Sequence, residues 1–152
     1  MPHKILALKD RPEYALALKT LIEPHGYQVL AVQSIDEALE VLSRESVDMI
    51  IVAVHLQEGN IFDFIRIVRA DPDASKRSVP IVCLNVNPRL HARYLNDSLE
   101  VSAMALGANR FITMEPYDAA SLWKVINTML PPESTKKVQI KKIESIKGRK
   151  EF

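Results

Sequence analysis

The side chains that could do chemistry are few, and their spacing limits what that chemistry is. His3, His25, His55 and His91 are scattered along the chain, and none stands at metal-ligand spacing from a second histidine or cysteine. His55 is the most suggestive, because it follows the apolar run Met49–Val54. A phosphoacceptor or metal-ligand role is conceivable there. Without a matched partner it reads as a solvated loop histidine. The lone cysteine, Cys83, excludes an internal disulfide framework and a multi-cysteine zinc site. Inside Ile81-Val82-Cys83-Leu84 it is expected to be a small buried core residue. Asp10 could be a cation ligand, but alone it would bind Mg²⁺ poorly, since such sites need several anionic oxygens. Its better reading is the cap of a helix, with Glu13 at capping-box spacing. No nucleophile, base and orienting group stand together, and neither a phosphate loop nor G-x-G-x-x-G is present. The expectation is a binding module that is not an enzyme and uses neither cofactor nor metal.

The elements that must position these residues follow a regular order. Five short apolar runs, Lys4–Leu8, Gln28–Val32, Met49–Val54, Ile81–Leu84 and Phe111–Thr113, are rich in Ile, Val and Leu without clean alternation. Such runs suit strands covered on both faces, as in a parallel sheet. Between them lie stripes at helical spacing. They are Tyr14, Leu18, Leu21 and Ile22; Ile35, Leu39 and Leu42; Ile61, Phe64, Ile65 and Val68; Leu95, Leu99, Ala103 and Leu106; and Leu122, Val125, Ile126 and Leu130. Ser34 with Glu37 repeats the capping-box spacing, and Pro12 suits a first helical turn. Pro24-His25-Gly26, Gly107 and Pro131-Pro132 close helices. Five strand–helix units in alternation specify a three-layer α/β sandwich with a parallel sheet and right-handed crossovers.

Length and charge narrow the class further. A chain of 152 residues makes one ordinary domain and can bury about 68–70% of its unfolded surface. The longest apolar stretch free of ionisable groups is far short of the roughly 20 residues of a membrane span, and no signal peptide develops. The expectation is a cytoplasmic protein that contacts no membrane. Residues 131–152 carry seven Lys/Arg against three acids, or +4, so the overall +1 leaves −3 on the rest. A mildly acidic body does not attract nucleic acid; only the basic tail, residues 132–152 after a body of residues 1–131, could.

In such sheets function sits at the carboxyl ends of the strands, and there a resemblance becomes specific. The runs Lys4-Ile5-Leu6-Ala7-Leu8-Lys9-Asp10, Val47-Asp48-Met49-Ile50-Ile51-Val52-Ala53 and Val79-Pro80-Ile81-Val82-Cys83, with Leu106-Gly107-Ala108 and Glu115-Pro116-Tyr117, resemble the receiver domain of two-component response regulators over about residues 3–130. The resemblance implies a flavodoxin-like sheet of order 2-1-3-4-5 with five helices. It also implies phosphoryl transfer from a histidine kinase to an aspartate ending strand three, with Mg²⁺ held by two acids after strand one. A Ser/Thr would end strand four and a lysine strand five. Carried over residue by residue, the acceptor position is Ala53 and the acid pair is Lys9-Asp10. The Ser/Thr position is Asn85, and the lysine position is Met114, or Glu115 if one residue is inserted. Phe111 keeps the aromatic switch position. Asp48 lies at the wrong end of its strand, roughly 16 Å away, and Asp63 lies on helix three, so neither replaces the acceptor.

The loss is multiple and coherent, which implies a pseudo-receiver acting through protein–protein contacts without phosphorylation. Two alternatives stand beside it: a receiver fold regulated by a small molecule over the strand ends, and a flavodoxin-type cofactor carrier. The second needs a phosphate-cradling turn, and Lys9-Asp10-Arg11-Pro12 offers few free amides. Helix four is expected to be about two turns longer than a typical receiver's, near residues 88–94, with Arg89 and Arg93 one turn apart. In the family, helix four, strand five and helix five form the face where partners and second subunits dock. That face is the expected interaction surface, with Arg89, Arg93, Tyr94 and Tyr117 its candidate residues. Trp123 and Tyr117 are otherwise expected to pack rather than stack on a ligand.

Overall fold

A computed structural model describes residues 3–9, 11–54, 59–86, 93–114 and 116–131, without the side chains of 93–96. Five strands, β1 (Lys4–Leu8), β2 (Gln28–Val32), β3 (Met49–Ala53), β4 (Ile81–Val86) and β5 (Arg110–Met114), form one parallel sheet of order β2-β1-β3-β4-β5. Apart from Lys4 and Asn85, the three central strands are apolar, because helices cover both faces. Only the edge strands β2 and β5 carry exposed residues in quantity.

Two cores result, one on each face of the sheet. Leu6, Leu8, Ile50, Val52, Ile81 and Cys83 meet Ala38 and Leu42 of α2 (Ile35–Arg44), Phe64, Ile65 and Val68 of α3 (Ile61–Arg69), and Ala103 of α5 (Arg93–Leu106). On the opposite face Ile5, Ala7, Ile51, Val82 and Leu84 meet Leu18 and Ile22 of α1 (Pro12–Ile22) and Leu122 and Ile126 of α6 (Ala119–Met129). Burying each such side chain contributes roughly 1.5–3 kcal/mol, so these two layers carry the fold.

Three local expectations are corrected. The N-cap of α1 is Arg11, with no side-chain cap, because Pro12 already supplies the first-turn geometry. The expected cap, Asp10, lies outside the described residues. In the first stripe Ala15 takes the buried position and Tyr14 is 47% exposed. A sixth helix, α4 (Ala74–Arg77), adds a single turn where none was expected. Asp73 starts it by accepting from the Ser75 N–H at 2.9 Å and from its hydroxyl at 2.7 Å. The expected box of Ser34 and Glu37 forms in its first half and shifts in its second. Ser34 Oγ accepts the Glu37 N–H, and the Glu37 carboxylate accepts from Gln33 N–H, one residue earlier than the usual box.

The amino end of the sheet is tied to the end of α6. The Tyr27 hydroxyl donates to the Leu130 carbonyl, and His3 Nε2 lies 3.0 Å from the Pro131 carbonyl oxygen. His3 is accordingly buried, at 8% exposure. His25 stacks on Trp123 at 3.6 Å between ring centroids.

Candidate functional site

Parallel register brings Lys9, Ala53, Asn85 and Met114 to one end of the sheet. Leu8 pairs with Val52, Ala53 with Leu84, Asn85 with Thr113 and Val86 with Met114. All four of the first set are nearly closed to solvent, at 5%, 9%, 1% and 7% exposure. The strands deliver these positions because each apolar run ends in the same layer of the sheet.

The chemistry of the four ends is mixed and weakly polar. Ala53 closes β3 with a methyl group and has no oxygen to accept a phosphoryl group. Lys9 places a cation just past the end of β1. Its backbone N–H donates to the Val32 carbonyl at 3.0 Å, and its Nζ lies 5.9 Å from the centroid of the Tyr14 ring. Arg11 Cζ lies at the same distance from that ring, so the exposed aromatic face is shared between two cations. Asn85 contributes a neutral carboxamide and Met114 a thioether packed in the α1/α6 core. Phe111 is half-buried against the opposite core, as are Leu99 and Leu106 of α5. Among the described residues, no three His, Cys, Asp or Glu side chains are grouped to hold a metal ion.

The remaining sequence candidates divide between surface and core. Asp10, His55, Arg89 and Glu115 lie outside the described residues, as do the side chains of Arg93 and Tyr94; Arg93 begins α5. Tyr117 is half-buried, and its hydroxyl meets no hydrogen-bond partner among the described residues. Burial pushes its ionisation up, and neighbouring Asp118 adds to the effect. Asp118 itself caps α6, accepting from the Ser121 hydroxyl at 2.7 Å and from its N–H at 3.2 Å. Those two bonds hold its carboxyl below the usual range. Cys83 is fully buried, and burial pushes its thiol up to about 12. It is a core residue.

Sequence reasoning missed Arg69, at the end of α3. Its guanidinium donates to Gly107 O at 2.7 and 2.9 Å, to Arg77 O at 2.8 Å, to Val79 O at 2.7 Å and to Asn109 Oδ1 at 2.9 Å. Asn109 Oδ1 also accepts the Ile81 N–H at 2.8 Å. One side chain thus fastens α3, the approach to β4 and the approach to β5. Gly107 must be glycine there: its φ is +117°, and a Cβ would meet Arg69 Nε at 2.9 Å. The Gly107-Ala108 pair was the only sequence trace of this clamp.

No family model matches the chain. Protein PilH of Pseudomonas aeruginosa is 24% identical over 127 residues, covering 84% of this chain and 97% of PilH. The sensory/regulatory protein RpfC of Xanthomonas campestris pv. campestris is 26% identical over 84 residues, covering 55% of this chain. The matched stretch spans only 12% of the length of RpfC. Among solved structures, the signal receiver domain of a signal transduction histidine kinase from Syntrophus aciditrophicus has a TM-score of 0.69 at 28% identity. It covers 84% of this chain and 89% of that one. The fold is that of the response-regulator receiver domain. With its strand order and the position of its strand ends, the chain is similar to the receiver domains of two-component signalling proteins.

Proposed function

We propose that this chain is a pseudo-receiver, a receiver fold that works through protein contacts without aspartyl phosphorylation. One observation carries the reading: β3 ends in Ala53, beside a buried Lys9 where the resemblance places an acid. A receiver's phosphoryl transfer needs a carboxylate nucleophile and a metal that templates the transfer. Ala53 offers no nucleophile. Lys9 carries an ammonium where the resemblance places an acid, and the Asn85 and Met114 side chains are neutral. These residues do not fit Mg²⁺. The module holds its fold for contact, and its working compartment on this reading is the cytoplasm.

The contact face is assigned to α5, β5 and α6. Val101 and Met104, one turn apart on α5, are 69% and 43% exposed, and apolar residues at that spacing share one side of a helix. The candidates the sequence adds to this face are Arg89, Arg93, Tyr94 and Tyr117; Arg89 and the side chains of Arg93 and Tyr94 lie outside the described residues. The partner is a signalling protein or a second copy of the chain. A specific contact buries roughly 800 Å² per side. Arg89→Glu/Arg93→Glu is compared with the parent by light scattering and pull-down. The reading expects loss of the partner or of the dimer mass. Unchanged mass with the same recovered partners overturns this assignment of the face.

A further inference from the structure

The free edge of β2 has a ready occupant in the chain's own tail. Gln28 N–H donates to the His3 carbonyl at 2.8 Å, and the Val32 carbonyl accepts from Lys9 N–H at 3.0 Å. Parallel pairing alternates, so Gln28, Leu30 and Val32 face β1 while Val29, Ala31 and Gln33 point their backbone groups outward. The Glu37 carboxylate satisfies the outward Gln33 N–H at 3.2 Å. Val29 and Ala31 have no strand partner among the described residues, since β2 ends the sheet. An unpaired edge of this kind is a template for another strand.

Three further observations point to residues 137–142. First, the chain leaves the body beside this edge, where Tyr27 and His3, the residues preceding β2 and β1, hold the Leu130 and Pro131 carbonyls. Second, Lys137-Val138-Gln139-Ile140-Lys141 alternates polar with β-branched residues before Lys142, the pattern of a half-covered strand. The five residues 132–136 reach about 16 Å at roughly 3.3 Å each, several times the 4.8 Å between neighbouring strands. Third, the charges complement one another. The tail carries Lys136, Lys137, Lys141 and Lys142. Glu23 before β2 and Asp36, Glu37 and Glu40 of α2, which packs over β1 and β2, are all exposed.

We infer that residues 137–142 add to β2 as a sixth, parallel edge strand, covering the outward backbone of Val29 and Ala31. Nothing in this pairing depends on how the strand ends at the other side of the sheet are used. The test is amide hydrogen exchange by NMR on the full-length chain, compared with full-length Val138→Pro/Ile140→Pro. Prolines remove donors that a strand needs. Val29 and Ala31 should exchange at least about tenfold faster in the proline variant. Gln28 and Leu30, bonded to β1, should stay unchanged and so report an intact body. Equal exchange at Val29 and Ala31 in both chains overturns the inference. Slow exchange in the parent that vanishes on dilution also overturns it, because a second copy then covers the edge. Should the proline variant unfold, the unmodified chain still decides the matter. Backbone contacts by NOE from Val29 or Ala31 to residues 137–142 are required, and their absence overturns the pairing.

Discussion

Replacing Arg69 with alanine removes the clamp that fastens α3 to the starts of β4 and β5. Its five donor contacts reach the carbonyls of Gly107, Arg77 and Val79 and the Asn109 side chain. Hydrogen bonds to a charged group contribute about 1.5–3 kcal/mol each. The contacts to Arg77 and Asn109 are solvent-exposed, so water replaces them cheaply. The half-buried contacts to Gly107 and Val79 set the loss, which we place at about 2–4 kcal/mol. For a chain of this size one kcal/mol shifts Tm by about 2–4 °C, so a fall of about 5–15 °C is expected. Thermal unfolding followed by circular dichroism reads it directly. Gly107→Ala should destabilise too, because its φ of +117° is strained for alanine and the new Cβ displaces Arg69 Nε. The double variant should lose less than the sum, since both changes break one contact. A Tm for Arg69→Ala within about 1 °C of the parent would refute the reasoning, the shift being far below any half-buried bond's worth.

Two more outcomes follow from the ionisable groups. Cys83 should stay unreactive towards a thiol-specific disulfide reagent at pH 8 until the protein is unfolded, because burial pushes its thiol up to about 12; modification within minutes of mixing would contradict this. Asp118→Ala should lower Tm most near neutral pH. The folded carboxyl is held below its unfolded value by Ser121, so its stabilisation is complete above about pH 4 and disappears as pH falls through the lower folded value. A Tm difference that instead grows on acidification would show that the cap does not act through its charge.

Most of the scaffold was legible because buried parallel strands leave a dense apolar signal. The runs at Lys4–Leu8 and Gln28–Val32 are strands with the expected bounds, and the third helix buries all four residues of its stripe. Strand order came only from the receiver resemblance, since apolar runs do not say which neighbours they take. What failed was local and had local causes. Tyr14 looked like a core residue by spacing, yet small Ala15 fits the close approach of α1 to the sheet, and the Tyr14 ring turns outward to Lys9 and Arg11. The single turn at Ala74–Arg77 has no apolar stripe to reveal it, only the Asp73 cap. Arg69 was invisible because all but one of its contacts are to backbone carbonyls, 8 to 38 residues away, and carbonyls carry no sequence signature. At the strand ends, Ala53 and Lys9 were legible as departures from a pattern. That Lys9 is buried was not, because a lysine is ordinarily exposed.

The central claim is tested most directly by intact-mass measurement of the full chain after incubation with acetyl phosphate and Mg²⁺. With Ala53 at the end of β3 and Lys9 just past the end of β1, the mass should remain unchanged. On the proposed reading Ala53→Asp alone should remain unmodified as well, since Lys9 keeps its ammonium where the resemblance places an acid. An acid-labile gain of about 80 Da on the parent chain, one phosphoryl group, would contradict the account.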